Sequence, residues 1–238
     1  MNINLKLILA FIYIFFLGTL LFFIFNYLDF KNLTDYHYIK ENSESLINWR
    51  EKNLFLFIFL FLVFAILWIF LLGFAGPIAI LSGFIFGQWI GTIVSVISFS
   101  IGSTLLYIFA RYHFQDLIIS HLENKIEKYK NLFKKNEFIY FMIFRFAGGG
   151  GIPFGIQNIL PVIFDMKIKN YFYATFVGLF PSVFIISSLG SGFERLIAEN
   201  ESLSYLNIIF NPEIYWPIIG FIAILIISFF IRKRLFKK

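Results

Sequence analysis

Long apolar stretches separated by short charged ones dominate the chain. Residues 7–28, 54–72, 91–110, 171–190 and 214–231 each approach the roughly 20 apolar residues that a helix needs to cross a bilayer. The pattern predicts a helical span at each. Between them lie a polar segment (29–53), a basic one (111–137), a short linker (165–170) and an acidic loop (193–213). From Lys52 to Arg111 there are 58 residues with neither charge nor histidine, so the chain must cross or re-enter more than once there. Residues 7–28 are too long for a signal-peptide core and no small-x-small cleavage pattern follows, which predicts a retained first span.

Two apolar stretches resist assignment as plain spans. The first, 73–90, contains Gly73, Gly76, Pro77, Gly83 and Gly87; the second, 138–164, contains Gly148, Gly149, Gly150, Gly151, Pro153, Gly155 and Pro161. Glycine and proline in mid-segment free backbone N–H and C=O groups that lipid cannot satisfy. Such backbone survives at membrane depth only where protein buries it or where it lines a polar cavity. Each stretch leads into a span rich in small residues: Gly91, Ser95, Ser98, Gly102 and Ser103 in one, Ala174, Thr175, Gly178, Ser182 and Ser187 in the other. Small residues let helices approach closely in lipid, and these faces are expected to leave an open groove. Broken segments at corresponding places in two halves mark a transporter site built from an inverted repeat. Identity between the halves is poor, so the repeat rests on hydropathy and Gly/Pro placement. The plainer reading makes the glycines packing positions and the prolines kinks.

Composition places the chain in one class. Of 238 residues, 59% are hydrophobic and 14% charged, against about 25% charged in a soluble domain; mean hydropathy is +0.81. Cysteine is absent, which excludes disulfides, thiolate metal sites and cysteine nucleophiles. Lys/Arg bias orients the spans. The tail from Arg232 carries five basic residues and segment 111–137 six, whereas 193–213 has Arg195 alone against four glutamates. Tail and basic segment are therefore expected in the cytoplasm and the acidic loop outside, with 138–164 entering and leaving from the cytoplasmic side. The side of the N-terminus stays open. If 54–90 forms one hairpin from outside, the N-terminus is cytoplasmic. If 54–72 spans fully and 73–90 is a shallow hairpin, it is external.

Arg145 holds the only charge between Phe138 and Phe164. A charge at bilayer depth costs several kcal/mol unless it faces a partner or a wet cavity. Its planar fork of donors suits phosphate or carboxylate, and the run Gly148–Gly151 can turn successive N–H groups toward one anion. A half-helix beginning near Pro153 would aim its dipole at the same place, and Asn158 and Gln157 can donate to a ligand or satisfy freed carbonyls. Read structurally, Arg145 snorkels to the interface or bridges broken backbone with no ligand. The glycine run lacks the Lys-Ser/Thr ending of a P-loop. His37, His113 and His121 show no metal spacing, and Gly190-Ser-Gly192 is no nucleophile elbow. Asp165, with Lys167 and Lys169, reads as an interfacial cap. Residues 122–137 read as an amphipathic basic helix on the cytoplasmic surface, able to attract anionic headgroups or merely to join two membrane segments.

From about 73 to 192 the residues resemble the DedA-like superfamily, the VTT-domain or SNARE-associated Golgi protein family. Gly76-Pro77, Leu81-Ser-Gly83, Phe86-Gly87, Gly91, Gly102 and Phe109-Ala-Arg111-Tyr112 resemble its first block. Phe144-Arg145, Pro153-Phe154, Asn158, Thr175, Gly178, Pro181 and Gly190 resemble its second. The resemblance implies a helical membrane fold with two opposed re-entrant hairpins and a role in moving lipids between leaflets, phospholipids or, in bacteria, polyprenyl phosphate. Two departures stand out. The family's arginine-x-x-proline is here Arg145-Phe-Ala-Gly148, with two extra residues before Pro153. The acidic residues that DedA proteins carry around the first hairpin are absent from 53–110.

The expectation is an all-α integral membrane protein, a polytopic helical bundle with two opposed re-entrant hairpins. Residues 1–53 form an N-terminal span and polar segment, 54–192 the core, and 193–238 the acidic loop, last span and basic tail. The expected function is a bacterial inner-membrane lipid transporter or scramblase with its C-terminus in the cytoplasm. Arg145, Gly148–Gly151, Pro153 and Asn158 would hold a phosphate headgroup, with Gly76 and Pro77 at the opposing tip. No cofactor, metal or nucleic-acid partner is expected; lipids with phosphate headgroups are, and homo-oligomerisation stays open. A small-anion or solute transporter using the same cavity is the competing reading, and a purely structural role remains a further one. A lipid-phosphate enzyme ranks last, lacking the cluster of acids, histidines or metal ligands such chemistry needs.

Overall fold

The protein is described by a computed structural model covering residues 36–71, 73–199 and 210–235, with scattered positions of the first apolar stretch. Most of the expected span 7–28 lies outside the described residues, as do 200–209 of the acidic loop. Every regular element described is helical: α1 (Tyr36–Lys52), α2 (Leu54–Phe70), α3 (Ala75–Lys135), α4 (Glu137–Phe146), α5 (Phe154–Ile159), α6 (Ile168–Glu199) and α7 (Pro212–Leu235). Single 3-10 turns occupy Gly148–Gly151 and Leu160–Phe164. Among the described residues, Ala75–Asp116 within α3 and all of α6 are long and apolar enough to cross a membrane. The chain is an all-α membrane protein.

The expected span 54–72 is α2, with 17 residues; at 1.5 Å per residue it is about 25 Å long, short of the roughly 30 Å hydrocarbon core. It is apolar on all sides, yet only Phe61, Ala65 and Ile69, one stripe at four-residue spacing, are buried. Phe55, Phe59 and Leu67 face outward, an arrangement suited to lipid and costly in water. The polar segment before it is helical too, as α1. Arg50 of α1 donates from Nη1 to the Ile85 carbonyl at 2.6 Å.

Gly87 divides α3. Its φ of 75° and ψ of 173° are non-helical, a conformation that glycine adopts without steric cost. Ser82 Oγ donates to the Gly91 carbonyl at 2.9 Å, although residues nine apart on a straight helix stand about 13.5 Å apart. The chain therefore reverses at Gly87, and the arm 75–86 packs against the beginning of 88–135. This relocates a feature expected from sequence. Gly76 and Pro77 do not break the first stretch; they sit in the first turn of α3, where the missing proline N–H has no intrahelical partner to lose.

The second half repeats the order of elements. α4 ends at a broken loop, 147–153. A short helical arm follows, 154–164, then Asp165 in the left-handed region at φ 50°, then the long α6. In the first half the same order is α2, the break 71–74, the arm 75–86, Gly87 and the run 88–135. In each half an arginine donates to a carbonyl beside the reversal: Arg50 to Ile85, and Arg111 to Met166 at 3.3 Å. Arg111 also pairs with Asp165.

The two long helices run antiparallel. Tyr107 stacks on Tyr171 with ring centres 4.5 Å apart, and Trp89 meets Phe184 at 4.9 Å. Their small residues are contact points between backbones. A Cβ on Gly83 would stand 1.9 Å from the Ser187 carbonyl oxygen, one on Gly102 2.8 Å from that of Ile66, and one on Gly190 2.0 Å from that of Ile80. Ser95, Ser98, Ser103, Ala174, Thr175 and Ser187 are buried in the same seams. Close packing of this kind replaces the open chain groove expected along these faces. The basic helix expected over 122–137 is likewise no separate element, since α3 continues to Lys135. Asn136 ends it and caps α4, its side-chain oxygen accepting from the Ile139 N–H at 3.1 Å.

Candidate functional site

Arg145 lies on the last turn of α4 and is fully buried. A run of apolar and aromatic residues builds that helix, and Gly178 of α6 presses directly on it: a Cβ there would lie 2.6 Å from the Met142 carbonyl oxygen and 2.7 Å from Arg145 Cβ. The guanidinium is consequently directed inward, toward α5. Nη2 donates to Asn158 Oδ1 at 2.7 Å and to the Tyr171 hydroxyl at 2.9 Å, while Nη1 donates to Gln157 Oε1 at 3.3 Å. The rings of Phe141, Phe154 and Tyr171 stand 4.9, 5.1 and 5.8 Å from its central carbon, close enough for cation–π attraction of about 0.5–2 kcal/mol each. No carboxylate pairs with it among the described residues.

The environment is thus polar and aromatic but neutral. It is also incompletely satisfied. Arg145 Nε and Asn158 Nδ2 are buried without a hydrogen-bond partner, while Ser103 and Thr175 flank the Tyr171 hydroxyl within hydrogen-bonding reach. Two orphaned donors at one buried cation centre are unusual, since buried polar groups nearly always find partners.

Gln157 joins this centre to the glycine loop. Its Nε2 donates to the carbonyls of Ile152 (2.7 Å) and Gly148 (3.2 Å), so the backbone freed by the break is satisfied by a side chain. Gly149, at φ 67°, touches the same amide: a Cβ there would lie 2.0 Å from Gln157 Cδ. Gly148 and Gly151 also have positive φ but face open space. Both are exposed, as is Pro153, which caps α5 where a half-helix was expected to begin. Gly150 completes the 3-10 turn. Gly76 and Pro77 open α3 in the other half, and none of the bonds or ring contacts of Arg145 reaches them.

The fold therefore gathers Arg145, Gln157 and Asn158, with Gly149 behind them. It adds Tyr171, Tyr107, Ser103 and Thr175, which sequence reading did not single out as a set. Tyr107 donates from its hydroxyl to the Met166 carbonyl at 2.6 Å and holds the Tyr171 ring by stacking. Tyr171 follows Lys167 and Lys169 so closely that it resembles an interfacial tyrosine; only the α4–α6 contact shows it pointing at Arg145. Among the described residues no group of three His, Asp or Glu is placed to hold a metal ion.

Residues 74–192 match the VTT domain family. The chain belongs to that family. The matched region begins at the break before α3 and ends where Gly192 meets α7, so the whole Arg145 centre lies inside the VTT domain, while α1 and α2 lie outside it. Uncharacterized protein YqeD of Bacillus subtilis is 26% identical over 118 residues, covering 49% of this chain and 56% of that protein. Transmembrane protein 41 homolog of Caenorhabditis elegans is 23% identical over 150 residues, covering 60% of this chain and 61% of that one. The chain thus spans less than two thirds of the length of these relatives. No solved structure matches it.

Proposed function

We propose that this VTT-domain protein is a transporter or scramblase, not an enzyme, that moves a phosphate-bearing lipid, phospholipid or polyprenyl phosphate, between the leaflets of a bacterial inner membrane. The observation that carries the reading is a fully buried guanidinium with neutral partners and an unbonded Nε. Burying a charge without a counter-charge is expensive, and an anionic headgroup would offset that cost. Asn158 Nδ2 is a further donor ready to share the same anion.

In this reading α2 with the arm 75–86, and α4 with the arm 154–164, are re-entrant hairpins entering from opposite faces, related as an inverted repeat. Their broken loops, 71–74 and 147–153, then lie at depth, where irregular backbone is tolerated against a polar cavity. The tail is cytoplasmic. The glycine loop is the moving part, because Arg145 is enclosed and Gln157 fastens the loop over it. Positive-φ glycines at 148, 149 and 151 let that loop change shape at little cost.

Complete enclosure of Arg145 also favours a second occupant, a small soluble anion that needs less opening. Mass spectrometry of molecules retained through purification separates the two. The lipid reading expects phosphate-bearing lipid at near-stoichiometric amounts, with one bound equivalent lost in Arg145→Ala. Tight retention of a soluble anion instead, or of neutral lipid alone, contradicts it.

A further inference from the structure

A cavity of about 390 Å³ opens between the C-terminal half of α6 and the start of α7. It lies within the size range of small-molecule sites. Gln88, Ser188, Ser191, Arg195, Glu213 and Trp216 supply its polar and aromatic wall. Glu213 Oε1 accepts from Arg195 Nη1 at 2.7 Å, yet Glu213 Oε2 is buried with no partner. A carboxylate oxygen removed from water and left unbonded is a place for a donor. Arg195 retains further donors, since a guanidinium carries five N–H groups, and more than half of its side chain is exposed. Anion and cation receptors therefore stand side by side, with an indole beside them.

Position narrows the occupant. Tyr107 meets Tyr171 and Trp89 meets Phe184, so Gln88 and Phe184 mark the end of the antiparallel pair away from Arg111, Asp165 and the lysine-rich segment. At that end the charges of Arg50, Arg195 and Glu213 give way to outward-facing apolar residues such as Ile218 and Ile222. Trp216 sits at the changeover, where tryptophan is favoured in membranes. The cavity also begins six residues beyond Gly178 on α6, about 9 Å from the Arg145 contact along the helix axis.

We infer that this cavity is a binding site for a zwitterionic lipid headgroup carrying a primary ammonium and a phosphate. The ammonium donates to Glu213 Oε2 and lies against Trp216; the phosphate takes donors from Arg195, Gln88 and Ser191. A quaternary ammonium has no N–H to give Glu213, so phosphatidylethanolamine is favoured over phosphatidylcholine. The site needs nothing from Arg145.

The test uses the full chain in nanodiscs of phosphatidylcholine containing phosphatidylethanolamine, with retained lipid read by native mass spectrometry. Wild type is expected to enrich phosphatidylethanolamine roughly tenfold, the worth of one charge-assisted hydrogen bond. Glu213→Gln should abolish the enrichment and Arg145→Ala should keep it. Unchanged enrichment in folded Glu213→Gln overturns the site, and so does equal retention of both lipids by wild type. Glycerophosphoethanolamine binding as tightly as the lipid would overturn the lipid assignment in favour of a soluble phosphoamine. Should Glu213→Gln fail to fold, Gln88→Leu and Ser191→Val carry the test, and undiminished retention in both contradicts it.

Discussion

Around Arg145 the three acceptors are not equivalent. Asn158 and Tyr171 share Nη2 at 2.7 and 2.9 Å, whereas Gln157 reaches Nη1 at 3.3 Å and spends its own N–H donors on the loop carbonyls. Tyr171→Phe removes the hydrogen bond from Arg145, worth about 1.5–3 kcal/mol, together with the one its hydroxyl donates to the Asn158 carbonyl at 3.1 Å, and keeps the ring stack on Tyr107. Its melting temperature in detergent should fall accordingly. Gln157→Leu should cost less at Arg145 but leave the Gly148 and Ile152 carbonyls unbonded, so amide exchange should speed up within 147–153 while α6 stays protected. Equal protection of both segments in that variant would show that Gln157 does not fasten the loop. Arg145 itself was legible in the sequence, because a lone charge in an apolar stretch announces its cost. Tyr171, Ser103 and Thr175 were not, since their importance comes from a helix contact through Gly178 that no local pattern encodes.

Helices and their breaks were legible to different degrees. The long apolar runs place α2, α7 and the start of α6 to within four residues, because hydropathy reports burial in lipid directly, but α6 continues nine residues past its expected end at 190, into the segment expected as an acidic loop. The first break lies just before the expected Gly76-Pro77, and a second one, at Gly87, was not expected. A Gly-Pro pair reads as an interruption, yet Pro77 in a first turn forfeits nothing, and Gly87, an isolated glycine in an apolar run, makes the reversal. The distinction is measurable. Pro77→Ala should shift stability by under about 1 kcal/mol. Gly87→Ala meets no neighbour within 4 Å, so its cost should be the strain of placing a side chain at φ 75° and ψ 173°, a region held almost only by glycine, on the order of 1–3 kcal/mol. Gly83→Val drives its branch into the Ser187 backbone and should cost more than either, in the upper part of the roughly 1–3 kcal/mol range for overpacking. A larger effect at Pro77 than at Gly87 would return the break to its sequence-expected place.

At the scale of the molecule, the repeated order of helix, broken loop, short arm, positive-φ residue and long helix supports the inverted hairpins proposed above, with an arginine donating to a carbonyl beside each reversal. Charge bias sets the side. Cysteines introduced at Asn131 and Asn200 should label from opposite faces of intact cells, and labelling from one face would remove the opposed arrangement. The proposed repeat is only faintly legible, because the halves share an order of elements and not residues: glycine makes one reversal and aspartate the other. The central claim concerns the buried cation. The measurement that tests it most directly is the movement of headgroup-labelled phospholipid in proteoliposomes, run on wild type, Arg145→Lys and Arg145→Ala after each is shown to be monodisperse and helical. The account predicts transfer by wild type, a reduced rate in Arg145→Lys, which keeps the charge without the fork, and none above protein-free vesicles in Arg145→Ala. Wild-type transfer by folded Arg145→Ala protein would contradict it.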